Sequence, residues 1–196
     1  MPISQYAQDV FSTSPNKYVF IGREPNGGSQ YALSADMDSA KIDTVRKISV
    51  SPALTAWMPN AGKMVYSGKY NRMAFAYRLH PMVEIFDTDG VLIKSVRMGK
   101  DTFNPKTLDE ADFEMLNIQH TVDVAYSQNY IYALDWACKY GDVSTTSPTI
   151  YKIDWDGNII NKQVNKSTPL YSIAALDDRH IIGWTGKNFV MLTLAQ

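Results

Sequence analysis

The chain has 196 residues, of which 45% are hydrophobic, 12% aromatic and 20% charged, and its formal net charge at pH 7 is −1. This composition is typical of an ordinary globular domain, or of one array of repeats that shares a core. Lysine and arginine form no block or stripe, so no nucleic-acid partner is expected, and no apolar run approaches the roughly 18 residues of a transmembrane helix.

The single cysteine, Cys138, excludes an intrachain disulfide but leaves the redox compartment open, because exported proteins also occur without disulfides. The first residues, Met1-Pro2-Ile3-Ser4-Gln5-Tyr6, lack the charged and apolar regions of a signal peptide. Two locations are therefore expected. They are the cytoplasm or, if a leader has been removed, the periplasm or the cell surface.

In chain order, the predicted strands form four units within one domain, 1–196. The units cover 7–48, 64–97, 121–164 and 170–194, and the last is one strand short. The predicted strands are 7–12, 17–22, 30–35 and 43–48; 64–68, 72–78, 82–87 and 91–97; 121–127, 130–137, 149–154 and 159–164; and 170–176, 180–184 and 189–194.

The units share a repeated pattern of two apolar runs, an acidic turn that ends in glycine, and a third run. In the clearest copy, the runs 73–77 and 83–86 precede the turn Asp87-Thr88-Asp89-Gly90. A later copy has the turn Asp154-Trp155-Asp156-Gly157. The second strands begin at intervals of about 55, 58 and 50 residues. Regular self-similarity at this period is typical of propellers and other repeat architectures.

The second strand of each unit is a nearly continuous apolar run, as in Tyr18-Val19-Phe20-Ile21. A strand that is open to water on one face would alternate apolar and polar residues, whereas a strand covered on both faces need not. A β-sandwich core also gives short apolar runs. The regular interval favours a β-propeller-like array of about four four-stranded blades, that is, a partial or open propeller of the six-bladed type.

One short helix is predicted in the connection between the second and third units. Thr107 precedes Glu110 by three residues, which fits a capping box. The apolar residues that would share a helical face are Leu108, Ala111, Met115 and Leu116.

Connections of two lengths alternate along the chain, and this alternation predicts where a ligand binds. The short turns, such as 69–71 and 128–129, are expected on one face of the array, and long loops such as 24–29, 49–61, 99–120 and 138–148 on the other. Function tends to lie on long loops held by a rigid scaffold. The predicted binding residues on this long-loop face are Arg23, Glu24, Trp57, Arg78, His80, His120, Lys139, Tyr140 and Asp142.

No motif identifies a reaction, a metal or a cofactor, so none is assigned and the catalytic residues stay unknown. The acidic turns place glycine at position four, where an EF-hand loop needs it at position six, and a hairpin is the preferred interpretation. The histidines have no metal-binding spacing, although His80 and His120 with Asp123 or Glu24 would give a sparse site if the fold gathered them. No Gly-X-Ser-X-Gly elbow is present.

The segments 81–93, 129–134 and 149–157, with their Ile-Phe-Asp-Thr-Asp-Gly and Ile-Asp-Trp-Asp-Gly hairpins, resemble the TolB-like six-bladed propeller proteins of Bacteroides-type bacteria. The resemblance covers about 17–194. It implies a functionally uncharacterised family without agreed catalytic residues, whose members are commonly exported, often as lipoproteins. Six blades would need over ~300 residues, so this chain departs from the family in length.

Three explanations of that length stay open: a piece of a longer protein, a short form that pairs with another copy, and a closed four-bladed ring. An open arc leaves blade edges uncovered, which would favour self-association. Residues 1–5 are an alternative source of the missing strand.

The sequence favours a binding or scaffold domain that recognises a protein, a peptide or a glycan through the long-loop face. The alternative is a metal-dependent enzyme of the lactonase or hydrolase type found on six-bladed propellers. Its oxygen ligands would come from Asp123, Asn117 and Asn60, and the sequence offers no clear glutamate to complete them.

Overall fold

The computed structural model describes residues 7–166 and 168–194. These residues form fifteen β-strands in four antiparallel sheets, three with four strands and the last with three. The predicted all-β, propeller-like array is confirmed.

Each sheet, called a blade below, contains consecutive strands, and each strand pairs with the next in the chain. The strands are β1 (Gln8–Ser14), β2 (Lys17–Arg23), β3 (Gln30–Asp36) and β4 (Lys41–Ile48) in blade 1; β5 (Gly62–Ser67), β6 (Arg72–Tyr77), β7 (Met82–Asp87) and β8 (Leu92–Arg97) in blade 2; β9 (Gln119–Tyr126), β10 (Tyr130–Cys138), β11 (Thr149–Asp154) and β12 (Ile159–Val164) in blade 3; and β13 (Ser172–Ala175), β14 (His180–Trp184) and β15 (Phe189–Thr193) in blade 4.

The first strand of each blade lies on the inside of the array. β5 packs against β1 on one side and β9 on the other, and β9 also packs against β13. Among the described residues, β1 and β13 do not pack together in this way. The blades therefore follow one another as an arc around a shared inner side.

Successive blades are held together by three apolar cores, one between each pair of neighbours. Strand β6 shows how one strand serves two of them. Met73, Phe75 and Tyr77 face the core shared with blade 1, while Ala74 and Ala76 face the core shared with blade 3. All five side chains are buried. Alternate residues of a strand point to opposite faces, so a fully apolar strand needs a neighbour on each side.

The two acidic turns form the hairpins that their sequence predicts. Asp87 Oδ1 accepts hydrogen bonds from the backbone N–H of Asp89 (3.0 Å) and Val91 (2.9 Å). The equivalent Asp154 does the same in blade 3, and Gly90 and Gly157 both have φ of +84°. A left-handed conformation at this position favours glycine.

The helix in the long connection is shorter and later than predicted, and its capping box is absent. The α-helix α1 spans only Phe113–Leu116, whereas Thr107 ends a separate 3-10 turn. Thr107 Oγ1 donates to the carbonyl of Asn104 (2.8 Å) and accepts from Asn117 Nδ2 (2.7 Å). The hydroxyl therefore stabilises the loop and does not cap a helix.

The outward face of blade 4 carries exposed apolar side chains, with Phe189 74% and Met191 69% exposed on β15. β15 is also an edge strand, because no described strand pairs with its outer side. None of the helices in the described ranges is long and apolar enough to span a membrane.

Candidate functional site

The long-loop face is formed where β2, β6, β10 and β14 end and where β5, β9 and β13 begin, since strand direction alternates within each blade. Two adjoining cavities lie on this face. The first, about 480 Å³ in volume, is lined by Asp9, Arg23, Trp57, Lys63, Arg78 and Glu114, among other residues. The second, about 350 Å³, is lined by Arg78, Glu114, Gln119, Trp136, Tyr140 and Tyr171, among others. We call them the first and second chambers of a central cleft.

Arg23, at the end of β2, lines the first chamber, and its contacts include the side chains of Trp57, Gln8 and Gln30. Its guanidinium carbon lies 3.8 Å from the centroid of the Trp57 ring. Its Nη2 donates to Gln8 Oε1 (2.6 Å) and its Nε donates to Gln30 Oε1 (3.3 Å). Burial, and then the positive charge of Arg78, lower the pKa of Arg23. The two guanidinium groups therefore repel one another across the first chamber.

Arg78 lines both chambers, and its backbone makes two hydrogen bonds. Its N–H donates to the Ala61 carbonyl (2.7 Å), and its carbonyl accepts from the His120 N–H (2.6 Å). Its guanidinium makes no hydrogen bond or ion pair with residues 7–166 or 168–194. An arginine has five donors in a planar fork, so this side chain is available to a ligand.

The acidic and basic groups at the start of the inner strands join the blades. Asp9 Oδ2 accepts from the Met64 N–H (2.7 Å), and burial raises the pKa of Asp9. Lys63 Nζ lies 2.6 Å from Asp123 Oδ1, and Asp123 Oδ2 accepts from the Ile173 N–H (2.8 Å). The charge of Lys63 is therefore already paired within the protein.

Aromatic side chains dominate the second chamber. Trp136 is buried, and its Nε1 donates to the Leu170 carbonyl (2.7 Å). The Tyr171 ring packs edge-on against the Trp136 ring, with 5.7 Å between the ring centroids. The centroid of the Tyr140 ring lies 6.3 Å from that of Trp136. The hydroxyls of Tyr140 and Tyr171 have no hydrogen-bond partner among the described residues. This chamber offers an apolar wall with two free hydroxyls at its margin.

Four of the nine predicted binding residues line the cleft: Arg23, Trp57, Arg78 and Tyr140. Glu24 instead stabilises its own loop, because its carboxylate accepts from the Ser29 N–H (2.8 Å) and the Tyr31 hydroxyl (2.9 Å). These two hydrogen bonds lower the pKa of Glu24.

The structure places the other predicted residues away from the cleft. His80 is buried beside a separate cavity of about 340 Å³, with Nδ1 3.0 Å from Asp101 Oδ2. His120 is buried, with Nδ1 3.2 Å from Asp135 Oδ1. Lys139 and Asp142 are exposed at the 3-10 turn Tyr140–Thr145.

Sequence reasoning missed several residues of the cleft: Asp9, Lys63, Glu114, Gln119, Trp136 and Tyr171. Asp9, Lys63 and Gln119 lie near the beginnings of the inner strands β1, β5 and β9, and Trp136 lies near the end of β10. No motif or spacing in the sequence distinguishes them from their neighbours in these strands and loops. Only the position of inner-strand ends at the centre of a radial array could have indicated them.

The side chains considered as oxygen ligands for a metal-dependent enzyme are engaged by other groups of the protein. Asn60 Nδ2 donates to the Leu54 and Ala56 carbonyls (2.6 and 2.7 Å). Asn117 donates to Thr107, as described above, and Asp123 is paired with Lys63. In the part of the chain that the structure describes, no three histidine, cysteine, aspartate or glutamate residues are grouped as metal ligands would be.

No family model matches the sequence, and no curated protein matches it either. Comparison with solved structures defines the class: the fold is that of the β-propeller proteins. A member of the DUF4221 family from Bacteroides vulgatus is similar over 94% of this chain and 63% of its own, with 8% identity and a TM-score of 0.61.

Other propellers are similar to the same degree. The β-propeller domain of Cps50 (Swd1) from Myceliophteria thermophila matches over 96% of this chain and 54% of its own, with 9% identity and a TM-score of 0.56. Streptogramin B lyase matches over 99% of this chain and 56% of its own, with 13% identity and a TM-score of 0.55. At these identities the likeness shows the fold alone. The chain spans between 52% and 66% of the length of such structures.

Proposed function

We propose that residues 1–196 act as one propeller-type binding domain that takes its ligand in the central cleft of the long-loop face. The observation that carries the proposal is the guanidinium of Arg78, which lies in the wall between two chambers and makes no hydrogen bond or ion pair within the described part of the chain. A concave site with an apolar wall and a few converging polar groups is the usual form of a ligand pocket. The ligand is then a protein segment, a peptide, a glycan or a smaller molecule.

A fragment screen by NMR tests this proposal. The probe is a mixed library of acidic, basic and neutral fragments, including short peptides and monosaccharides, added to isotope-labelled protein. We expect chemical-shift changes to cluster on the backbone amides of Arg23, Trp57, Arg78 and Tyr140, and on the indole N–H groups of Trp57 and Trp136. Fragments that bind only elsewhere would contradict the proposal.

We also propose a relationship to the TolB-like propellers of Bacteroides-type bacteria and, with it, export to the periplasm or the cell surface. The repeated hairpins support this relationship, and the Bacteroides vulgatus neighbour supports it at the level of the fold. The sequence test is whether the complete gene encodes further blades and a leader upstream of Met1. A gene that begins at Met1 without a leader would contradict export.

Self-association through an open blade edge is the second proposed interaction, with another copy of the chain as the partner. No strand among the described residues pairs with the outer edge of β15, and Phe189 and Met191 lie exposed on the same strand. Edge strands and exposed apolar patches are both favourable sites for association.

A further inference from the structure

The aromatic rings of the second chamber are held in place and are partly open to water. The hydrogen bond from Trp136 Nε1 to the Leu170 carbonyl (2.7 Å) fixes the indole, and the Tyr171 ring stands at 90° to it. Tyr140 is 59% exposed and Tyr171 is 39% exposed. Tyrosine and tryptophan offer a large, rigid contact area at a low cost in conformational entropy. These rings are therefore a preformed surface for an apolar face of the ligand.

Two opposite charges line the same chamber. Neither the Arg78 nor the Glu114 side chain makes a hydrogen bond or ion pair with the residues that the structure describes. At longer range both charges act on Arg23 in the first chamber. An anionic ligand would be attracted by Arg78 and repelled by Glu114, and a cationic ligand would experience the reverse. The two charges together therefore favour a ligand without net charge.

The chamber presents both donors and acceptors to a ligand. Gln119 is buried, and its Nε2 donates to the Glu114 carbonyl (2.6 Å), while its Oε1 has no hydrogen-bond partner in the described part of the chain. The Arg78 guanidinium only donates, and the Glu114 carboxylate and Gln119 Oε1 only accept. The hydroxyls of Tyr140 and Tyr171 do both. Because a ligand hydroxyl also donates and accepts, a ligand with several hydroxyls can pair with all of these groups.

We infer, building on the proposed binding function of the cleft, that the ligand is a neutral carbohydrate with one pyranose ring in the second chamber. One face of such a ring consists of C–H groups, which pack against the negative face of an aromatic ring. Its hydroxyls then meet Arg78, Glu114 and Gln119. The volume of about 350 Å³ is at the lower end for ligand pockets, which suits a short saccharide. A zwitterion such as a free amino acid is the competing class, because it would also match the two charges.

A titration of small probes into isotope-labelled protein, followed by NMR, tests the ligand class. The probes are the methyl glycosides of glucose, galactose, mannose, xylose and N-acetylglucosamine, together with mannitol and phenylalanine. Mannitol has the hydroxyls of a sugar without the rigid ring face, and phenylalanine is an aromatic zwitterion. We expect at least one glycoside to shift the Trp136 indole N–H and the Gln119 and Tyr140 amides. Its affinity should exceed those of mannitol and phenylalanine by about tenfold or more.

The variant Tyr140→Ala tests the aromatic surface. Loss of one aromatic contact corresponds to a weakening of the glycoside by roughly 3- to 10-fold. Tyr126→Ala is the matched control, because Tyr126 is also an exposed tyrosine, 41% exposed, but lies at the other end of β9, beside the short turn 128–129. It should leave the affinity unchanged. Unchanged amide spectra away from each substitution show that both variants are folded.

The outcomes separate the ligand class from the binding function. If mannitol or phenylalanine binds in the second chamber as tightly as the glycosides, the carbohydrate class is overturned and the binding function stands. The same holds if fragments of the mixed library bind in the cleft and no glycoside does. If no probe or fragment of any kind binds there, both proposals fail. Equal losses in Tyr140→Ala and Tyr126→Ala overturn the role of the Tyr140 ring.

Discussion

Asp123 and Lys63 join two blades through an ion pair of 2.6 Å between β9 and β5. The second oxygen of the same carboxylate accepts from the backbone N–H of Ile173 (2.8 Å), at the start of blade 4. One buried side chain therefore connects the inner strands of three successive blades. Because these strands form the floor of the cleft, the connection positions the site as well as the fold.

We predict that Asp123→Ala lowers the free energy of unfolding by roughly 2 kcal/mol, because it removes the partner of the partly exposed Lys63 and leaves the buried Ile173 N–H unsatisfied. Asp123→Asn should lower the free energy of unfolding clearly less than Asp123→Ala, since the amide oxygen of asparagine can still accept a hydrogen bond from the Ile173 N–H. Urea denaturation measures both values. Asp109→Ala is the control, because Asp109 is exposed and its side chain makes no hydrogen bond or ion pair with the described residues, and this variant should leave the free energy of unfolding unchanged. Equal losses in Asp123→Ala and Asp123→Asn would argue against the backbone connection.

The glycine of the acidic turn has a role between blades as well as within its hairpin. A Cβ atom at Gly90 would lie 2.1 Å from the Val45 carbonyl oxygen on β4, and one at Gly157 would lie 2.5 Å from Lys94 Cγ on β8. In both cases the turn of one blade packs against the outer strand of the preceding blade. This repeated contact gives a physical reason for glycine at the end of both acidic turns.

We predict that Gly90→Ala destabilises the protein by at least roughly 2 kcal/mol, because the left-handed backbone disfavours a side chain and the nearby atom is rigid backbone. Gly68→Ala is the matched control, since its Cβ atom would approach nothing closer than 3.9 Å. Thermal unfolding monitored by circular dichroism compares the two. A Gly90→Ala protein as stable as Gly68→Ala would show that the turn does not pack on β4 in solution.

Much of the fold could be predicted because its causes are local. The run Met73–Tyr77 is apolar at every position, and the structure covers it on both faces. The acidic turn fixes its own hairpin through the Asp87 carboxylate. The short helix in the connection was predicted correctly, but its capping box was wrong because the Thr107 hydroxyl bonds to Asn104 and to Asn117, ten residues later in the chain.

The cleft was predicted only in part, since its residues meet through the radial arrangement. Arg23, Trp57 and Tyr140 belong to long loops or adjoin them, and Arg78 follows β6 on the same face, so the loop-face argument found all four. Lys63 lies within the inner strand β5 and is brought to the centre by the packing of neighbouring blades. A pattern of residues along one strand carries no information about that packing.

Lowering the pH toward 2 should destabilise the turn that precedes β14. The hydrogen bond from the His180 ring, followed by those from the Arg179 and His180 N–H groups, lowers the pKa of Asp177 from 3.8 to about 2. A carboxylate with a depressed pKa stabilises the folded state above pH 3.8, and this contribution is lost as the pH falls through about 2.

We therefore predict that Asp177→Asn reduces the loss of stability between pH 4 and pH 2 relative to the unmodified protein. Urea midpoints measured at half-unit intervals of pH give the slope. Asp109→Asn is the control with an exposed carboxylate that lacks these hydrogen bonds. If Asp177→Asn and the unmodified protein lose stability in parallel across this range, the Asp177 hydrogen bonds do not stabilise the folded state.

The open edge of blade 4 gives the last prediction, which concerns the proposed self-association. Phe189 and Met191 point to the same exposed face of β15, and each would be covered if a second copy packed there. We expect the double variant Phe189→Ser with Met191→Thr to weaken self-association by at least tenfold, measured by sedimentation equilibrium over a range of concentrations. Val91→Ser is the control, because Val91 is also an exposed apolar residue, 61% exposed, but lies in the turn between β7 and β8. A monomeric unmodified protein at high concentration, or an equal effect of Val91→Ser, would contradict association through this edge.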